Sequence, residues 1–579
     1  MKSETTKDQL KKLLQQALKE LGLSLDAIDI TVPEPKFGDY STNAALVLAK
    51  KEKKSPKEIA EIISVKVKEL DKQQIFSEIS PTGGFANFTL SPDHLFKTMQ
   101  AILDQRDLYG SSIMGGGKTV LVEYFANNVA KPPHVGHLRS AVIGDSLLRI
   151  LRSQGFKAIS DTHIGDWGTQ FGILIAGYKA LGKKEDVEKD PINELNRLYI
   201  EMNQRIEKEP ALLEKGKEEF AKLEKGDTEN RELWQWFVRV SLEDFEKYRK
   251  LLHILPFDHN LGESFYEDKM PSVIADLKNK HLLMESEGAQ IVNLEDKKLG
   301  VGVIVKSDGA TTYLLRDLAA VKYRTKDLKL ALMLYVVDNR QAHHLEQFFE
   351  ISERLGYIKT ADTVKHIDFG FMSLPEEGAI SSRKGAVVSL QHLIDEAEKR
   401  ALNIINEKNP DLQNKEAIAK EVALAAIKYF DLSHNRKSEI VFTWEKALSF
   451  EGNTGPYLQY THARIYGIIR KFQITNSKLQ INSKNQISND LNQHELSVLR
   501  KLHQFPEIVE QVANDYYPNN LCNYLFELSQ TFNSFYQAVP VTQEEDEKKK
   551  SFRLSLITAT AQVIKNGLYL LGIEAPEEM

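Results

Sequence analysis

Two histidines with a glycine between them are the residues most able to do chemistry here. His134 and His137 lie in VEYFANNVAKPPHVGHLRSAVIGDSLLRIL (122–151), after a buried-strand pattern, TVLVEYF (119–125), and before a helical pattern over 136–152. At such a junction the backbone N–H groups and the positive helix end attract phosphate. Gly136 lets the backbone approach a nucleotide closely. Two imidazoles can donate to phosphate oxygens as charge grows on a transferring group. A lone HxGH pattern is weak, and its alternative is a pair of satisfied loop histidines. Its place at a strand's carboxyl end, where open α/β sheets bind ligands, raises its weight.

Tyr313 and Asp317 are four residues apart and would share a face if their stretch is helical. The competing reading makes Tyr313 a core aromatic and Asp317 half of an Arg316–Asp317 surface pair. Gln341, His343 and His344 fit a polar helix N-terminus, and Asp166–Trp167 fits a helix cap beside a buried aromatic. No metal site is expected: Cys522 is the sole cysteine, and no acidic or cysteine ligand spacing accompanies the histidines.

Residues that act together need elements to position them. Strand 119–125, helix 136–152 and the extended run FKAISDTHIG (156–165) form a βαβ unit on a parallel sheet. Strand-like runs return at 301–307, 330–338 and 366–374. Between them, 181–261 is a charged helical insertion. The first hundred residues read as α+β, with helical patterns at 5–22, 41–52 and 55–70 and extended runs at 27–32, 74–79 and 85–90. From about 390 the pattern is helical to the end, apart from an Asn/Gln/Ser-rich loop at 473–493.

The expected fold is multidomain α/β. A Rossmann-like parallel-sheet domain (114–400, insertion 181–261) follows an N-terminal α+β domain (1–113) and precedes a helical connector (401–454) and an all-α bundle (455–579). A chain of 579 residues needs several cores. Its 27% charged content is ordinary for a soluble protein, no apolar run reaches membrane-spanning length, and the start reads as an amphipathic helix rather than a leader. One cysteine fits a reducing cytoplasm. The net charge of -6 does not advertise nucleic acid, yet 118–157 holds six Lys/Arg against two acids.

NNVAKPPHVGHLRS and THIGDWGTQFG (162–172) resemble the two most characteristic blocks of the arginyl branch of class I aminoacyl-tRNA synthetases. The blocks GDYSTNAAL (38–46), TTYLLRDLAA (311–320), NRQAHHLEQFFE (339–350), SSRKGAVVSL (381–390), GPYLQYTHARI (455–465) and LLGIEAPEEM (570–579) match in order, so the resemblance spans nearly the whole chain.

That resemblance implies an arginine–tRNA ligase that forms arginyl-adenylate from arginine and ATP with Mg2+ and then charges the terminal adenosine of tRNA(Arg). It implies no editing domain, a need for bound tRNA during activation, and a cytoplasmic monomer with no membrane partner. Arginine recognition falls on Glu123, Asn128, Tyr313, Asp317 and Gln341, a set suited to a planar, always-charged fork of five donors. ATP falls on His134, Gly136, His137, Ser382, Arg383 and Lys384. The family's second signature, KMSKS, stands here as Ala379-Ile380-Ser381-Ser382-Arg383, without its lysines; Lys131 takes the catalytic place of the missing one, alongside His134 and His137, unless it is an exposed loop lysine. The N-terminal domain would contact the tRNA corner. Tyr457, Tyr460 and His462 would face the anticodon, with helix-core packing the alternative for each. A synthetase for another amino acid and a catalytically silent tRNA-binding relative are the rival readings.

Overall fold

The computed structural model describes residues 4–359, 361–375, 388–472 and 491–579. Ser382, Arg383 and Lys384, with the rest of the second signature, lie outside the described residues, as does most of the Asn/Gln/Ser-rich segment.

Four short parallel strands form the central sheet, in the spatial order Val364–His366, Leu332–Tyr335, Thr119–Glu123, Lys157–Asp161. Thr119–Glu123 is the first of them in the chain yet lies inside the sheet, buried on both sides, which explains its unbroken apolar run. The chain adds Lys157–Asp161 on one side and Leu332–Tyr335 on the other. The strand order therefore reverses at Thr119–Glu123, and a crevice opens at the carboxyl ends of the two inner strands.

The long helix Val135–Ser153 packs under the sheet and is buried along most of its length. The insertion is four helices between Lys184 and Leu251. Their apolar faces close over Trp167, Phe171 and Leu174 and form a core of their own. The run at 301–307 is a strand, Val301–Val305, but it joins an antiparallel sheet with Leu283–Ser286 and Ala289–Asn293 rather than the parallel one. The extended pattern at 366–374 is interrupted: Val364–His366 ends the parallel sheet, and Met372–Ser373 pairs instead with Ile440–Val441.

In the N-terminal unit, Phe85–Leu90 lies between Tyr40–Thr42 and Phe76–Thr82 in an antiparallel sheet covered by helices. The run 27–32 is no strand; Thr31 alone bridges to Ser41. A buried polar network docks this unit on the helix Gln493–Asp515. The Tyr40 hydroxyl donates to Glu507 at 2.6 Å, and His503 Nδ1 lies 3.1 Å from the Thr98 hydroxyl. Burial pushes the His503 pKa down to about 3, so the imidazole is neutral there. No helix among the described residues is long and apolar enough to cross a membrane.

Candidate active site

His134 is the N-cap of the helix Val135–Ser153, in extended conformation. Its Nδ1 accepts from the Gly136 N–H at 3.0 Å, and His137 Nδ1 accepts from the His134 N–H at 3.1 Å. A ring nitrogen that accepts carries no proton, so both imidazoles keep theirs on Nε2. The rings lie 3.9 Å apart, centroid to centroid. A Cβ on residue 136 would sit 2.8 Å from the His134 ring, so glycine is required for the ring to fold over the first turn. Burial, then the charge of His134, pushes the His137 pKa down to about 3. Burial also lowers that of His134, with Arg340 and Lys131 adding to the effect. The helix end thus presents two neutral ring N–H donors, while its first backbone N–H groups are bonded within the protein.

They face a cleft of about 670 Å³ that also exposes Glu123, Asn128, Gly136, Tyr313, Asp317 and Gln341. Lys131 is apart from this group. It lines a small adjoining cavity, with its ammonium 5.1 Å over the Tyr199 ring.

Each predicted pocket residue has a definite setting. Tyr313 and Asp317 lie on the helix Tyr313–Lys326, so the four-residue spacing does put them on one face. The surface-pair alternative fails, because Arg316 turns to Glu263 at 2.8 Å and Asp317 accepts from His344 Nε2 at 2.6 Å. Asp317 also lies 3.8 Å from His163 Nε2. Its hydrogen bond raises the His344 pKa. Asn128 bridges to Gly165, where any side chain would strike its Oδ1 at 2.4 Å. Gln341 ends the short turn Asn339–Gln341 and is exposed.

Glu123 is not a free charge. Arg324, almost fully buried, places Nη2 2.6 Å from Glu123 and 2.9 Å from Asp161, and donates through Nη1 to the Tyr335 hydroxyl at 3.2 Å. Glu123, Asp161 and His163 are the group nearest to a metal-binding set among the described residues. The Arg324 guanidinium already serves as the cation of the two carboxylates.

Glu263, Arg324 and His163 escaped the sequence reading. Glu263 faces the same cleft as Asp317, and burial pushes its pKa up to about 7 despite Arg316 and His163. Asp166 explains its placement. The Asp166 carboxylate accepts from the Ser264 N–H at 2.8 Å and the Ser264 hydroxyl at 2.6 Å, fixing the turn that carries Glu263. So the motif residue Asp166 does not cap the helix that follows it, whose N-cap is Gly168, but anchors a segment almost a hundred residues later. Among the anticodon candidates, His462 is buried and bonded to the Pro576 carbonyl at 2.8 Å, the packing alternative. Tyr460 is exposed, and the Tyr457 hydroxyl accepts from Asn533 at 2.8 Å.

Residues 98–444 match the family model for the catalytic domain of class I (R) tRNA synthetases. Residues 8–90 match the arginyl tRNA synthetase N-terminal domain, and 458–579 the DALR anticodon binding domain. The arginine–tRNA ligase of Alkaliphilus metalliredigens is 41% identical over 556 residues, covering 96% of each chain. That of Clostridioides difficile is 39% identical over 98% of each. Among solved structures, arginyl-tRNA synthetase from Thermus thermophilus superposes with a TM-score of 0.82 at 27% identity, covering 98% of this chain and 99% of its own.

Proposed function

The chain belongs to the arginyl-tRNA synthetase family, and from that premise we propose how its residues divide the work of joining arginine to tRNA. It is an arginine–tRNA ligase: arginine is activated with ATP and passed to tRNA. In our reading the product of the first step is arginyl-adenylate, Mg2+ enters with the ATP phosphates, and the acceptor is the terminal adenosine of tRNA(Arg). The reading also takes the enzyme as a cytoplasmic monomer divided at 113, 400 and 454.

The observation that carries the site assignment is the paired histidine cap. With both Nδ1 atoms occupied by backbone donors, the two Nε2–H groups are left for the phosphates of ATP. When the arginine carboxylate attacks the α-phosphorus, negative charge grows on the phosphoryl oxygens and on the departing pyrophosphate. Fixed neutral donors stabilise that charge without proton transfer. Gly136 keeps the helix end open to the nucleotide. The substrate guanidinium goes to Asp317, with Glu263 opposite and Tyr313 as the aromatic wall. Glu123, Asn128 and Gln341 hold the rest of the amino acid.

Pyrophosphate exchange with arginine, ATP and tRNA tests the whole assignment. Exchange that depends on arginine and on tRNA(Arg) is expected; exchange driven equally by another amino acid, or none with a fully folded protein, would overturn it. Lys131 keeps the role of the absent loop lysine, by swinging from Tyr199 toward the phosphates. Because its side chain is partly solvated, Lys131→Ala is expected to cost only about tenfold in kcat. An unchanged kcat would leave Lys131 a loop residue.

Glu263 makes arginine binding pH-dependent. Its carboxyl, titrating at about 7, faces Arg316, His163, Asp317 and Asp166. A cationic substrate favours the charged form, so binding expels a proton and tightens as pH rises. KM for arginine should therefore be about tenfold higher at pH 6 than at pH 8. Glu263→Gln should flatten that slope; a wild-type KM independent of pH over this range would refute the role.

A further inference from the structure

We propose that Arg139 is a positioning residue for arginine activation: its guanidinium sets the histidine helix at a fixed distance from the opposite wall of the cleft. The proposal rests on the reading of His134 and His137 as phosphate donors. Arg139 follows His134 by five residues on the same helix and is 1% exposed. Its Nε lies 3.2 and 3.1 Å from the two carboxylate oxygens of Asp431, on the helix Lys415–Leu432. Its Nη1 donates to two backbone carbonyls, Gly370 at 2.6 Å and Ser438 at 3.1 Å. Its Cζ lies 5.7 Å from the Phe369 ring centre.

The residues it grips belong to the far wall. Phe369 lines the cleft, and its carbonyl accepts from the Asn339 N–H at 3.1 Å, which ties it to the turn bearing Arg340 and Gln341. Gly370 is pressed so close to the next segment that a Cβ would stand 2.5 Å from the Ser438 carbonyl. On the near side, the Val135 N–H donates to the Val388 carbonyl at 3.2 Å and the Leu390 N–H to the Pro133 carbonyl at 3.1 Å, bracketing His134. Histidine helix, far wall and connecting helix therefore meet at one guanidinium.

Stability alone does not account for an arginine there. A buried ion pair loses hydration on both partners, and well-packed apolar residues in its place are often as stable. Arg139 even buries one nitrogen, Nη2, without a hydrogen-bond partner among the described residues. What a planar fork adds is direction, because one rigid group holds two carbonyls and a carboxylate at fixed angles to one another. Displacements of about 1 Å at catalytic groups cost on the order of 10²-fold in rate.

Two variants separate positioning from folding. Arg139→Lys keeps the charge beside Asp431 but loses the fork. The double variant Arg139→Met with Asp431→Leu removes the pair and its hydration cost together. Both are purified as full chains and assayed by pyrophosphate exchange with tRNA, by thermal unfolding and beside His137→Ala. We expect cooperative unfolding at midpoints somewhat below the parent, because the Gly370 and Ser438 carbonyls lose their donor, and kcat about 10- to 100-fold lower, with KM for ATP and for arginine within about threefold. A folded variant with parental kcat, or a loss confined to KM, overturns the proposal. If His137→Ala retains full kcat, the histidine reading fails first and this one with it. A slow His137→Ala beside a fully active Arg139→Lys refutes the positioning role alone. Should the double variant fail to fold, Arg139→Lys decides.

Discussion

His137→Ala is expected to lower kcat for arginine-dependent pyrophosphate exchange by about 10²–10³-fold, the scale of removing one fixed donor from a developing oxyanion. KM for ATP should move much less, because the lost contact strengthens as charge develops and contributes little to the ground state. The tautomer makes the prediction specific. His137 Nδ1 already accepts from the His134 N–H, so its only free polar group is Nε2–H. Asparagine can place an oxygen where Nδ1 stands and keep the cap, while lacking a donor at the Nε2 position. Glutamine can place an amide N–H near Nε2 while losing the cap. His137→Asn should therefore be nearly as slow as His137→Ala, and His137→Gln should recover about tenfold. With a pKa near 3, the imidazole stays neutral across the assay range, so this contribution should be flat between pH 6 and 8. An alanine variant within threefold of the parent removes His137 from the chemistry, and equal rates for Asn and Gln would assign it a capping role only.

How much of this site was legible in the sequence depended on how far apart in the chain its parts lie. The strand Thr119–Glu123, the helix after it and the histidines between them are contiguous, so the change from a continuous apolar run to a helical period marked them directly. The Tyr313–Asp317 face followed in the same way from helical spacing. Glu263 could not be read so. It sits in a 3₁₀ turn after the insertion, with no periodic pattern, and becomes a pocket residue only because Asp166 anchors Ser264. Arg324 was hidden for a related reason. Eleven residues past Tyr313, it looks like a basic helix end, and only the sheet register, which sets Glu123 opposite both Asp161 and Tyr335, turns it into their shared counter-ion. The extended run at 366–374 misled because Phe369 and Gly370 are held out of the sheet by bonds to Asn339 and Arg139, partners from distant segments. Alternating hydropathy carries no record of such contacts.

The second large effect concerns the amino acid itself. Asp317→Ala should reduce kcat/KM for arginine by an amount corresponding to about 2–5 kcal/mol, the usual cost of deleting one partner of a desolvated charge pair. That is on the order of 30- to 4000-fold at about 1.4 kcal/mol per decade. Arg324 satisfies Glu123 and Asp161, Arg316 stands against Glu263 and Arg340 against Asp338, so among the described residues Asp317 is the pocket carboxylate without a guanidinium of its own. Among the described residues its partners are imidazoles, His344 at 2.6 Å and His163 at 3.8 Å. A substrate guanidinium arriving there finds an acceptor already oriented, which costs no reorganisation on binding. KM for ATP should be nearly unchanged, since the donors proposed for the phosphates, His134 and His137, stand on a different helix from Asp317. Asp317→Asn should show a similar loss at every pH, whereas Glu263→Gln should cost least at pH 6, where the parent carboxyl is mostly protonated already. The remaining alternative is that Asp317 serves only to hold His344. His344→Ala distinguishes the two, because a purely supporting Asp317 predicts equal losses for both variants, while direct recognition predicts that the histidine variant falls by about tenfold or less. Parental kcat/KM for arginine in Asp317→Ala would move the guanidinium to Glu263 and leave Asp317 without a role in selection.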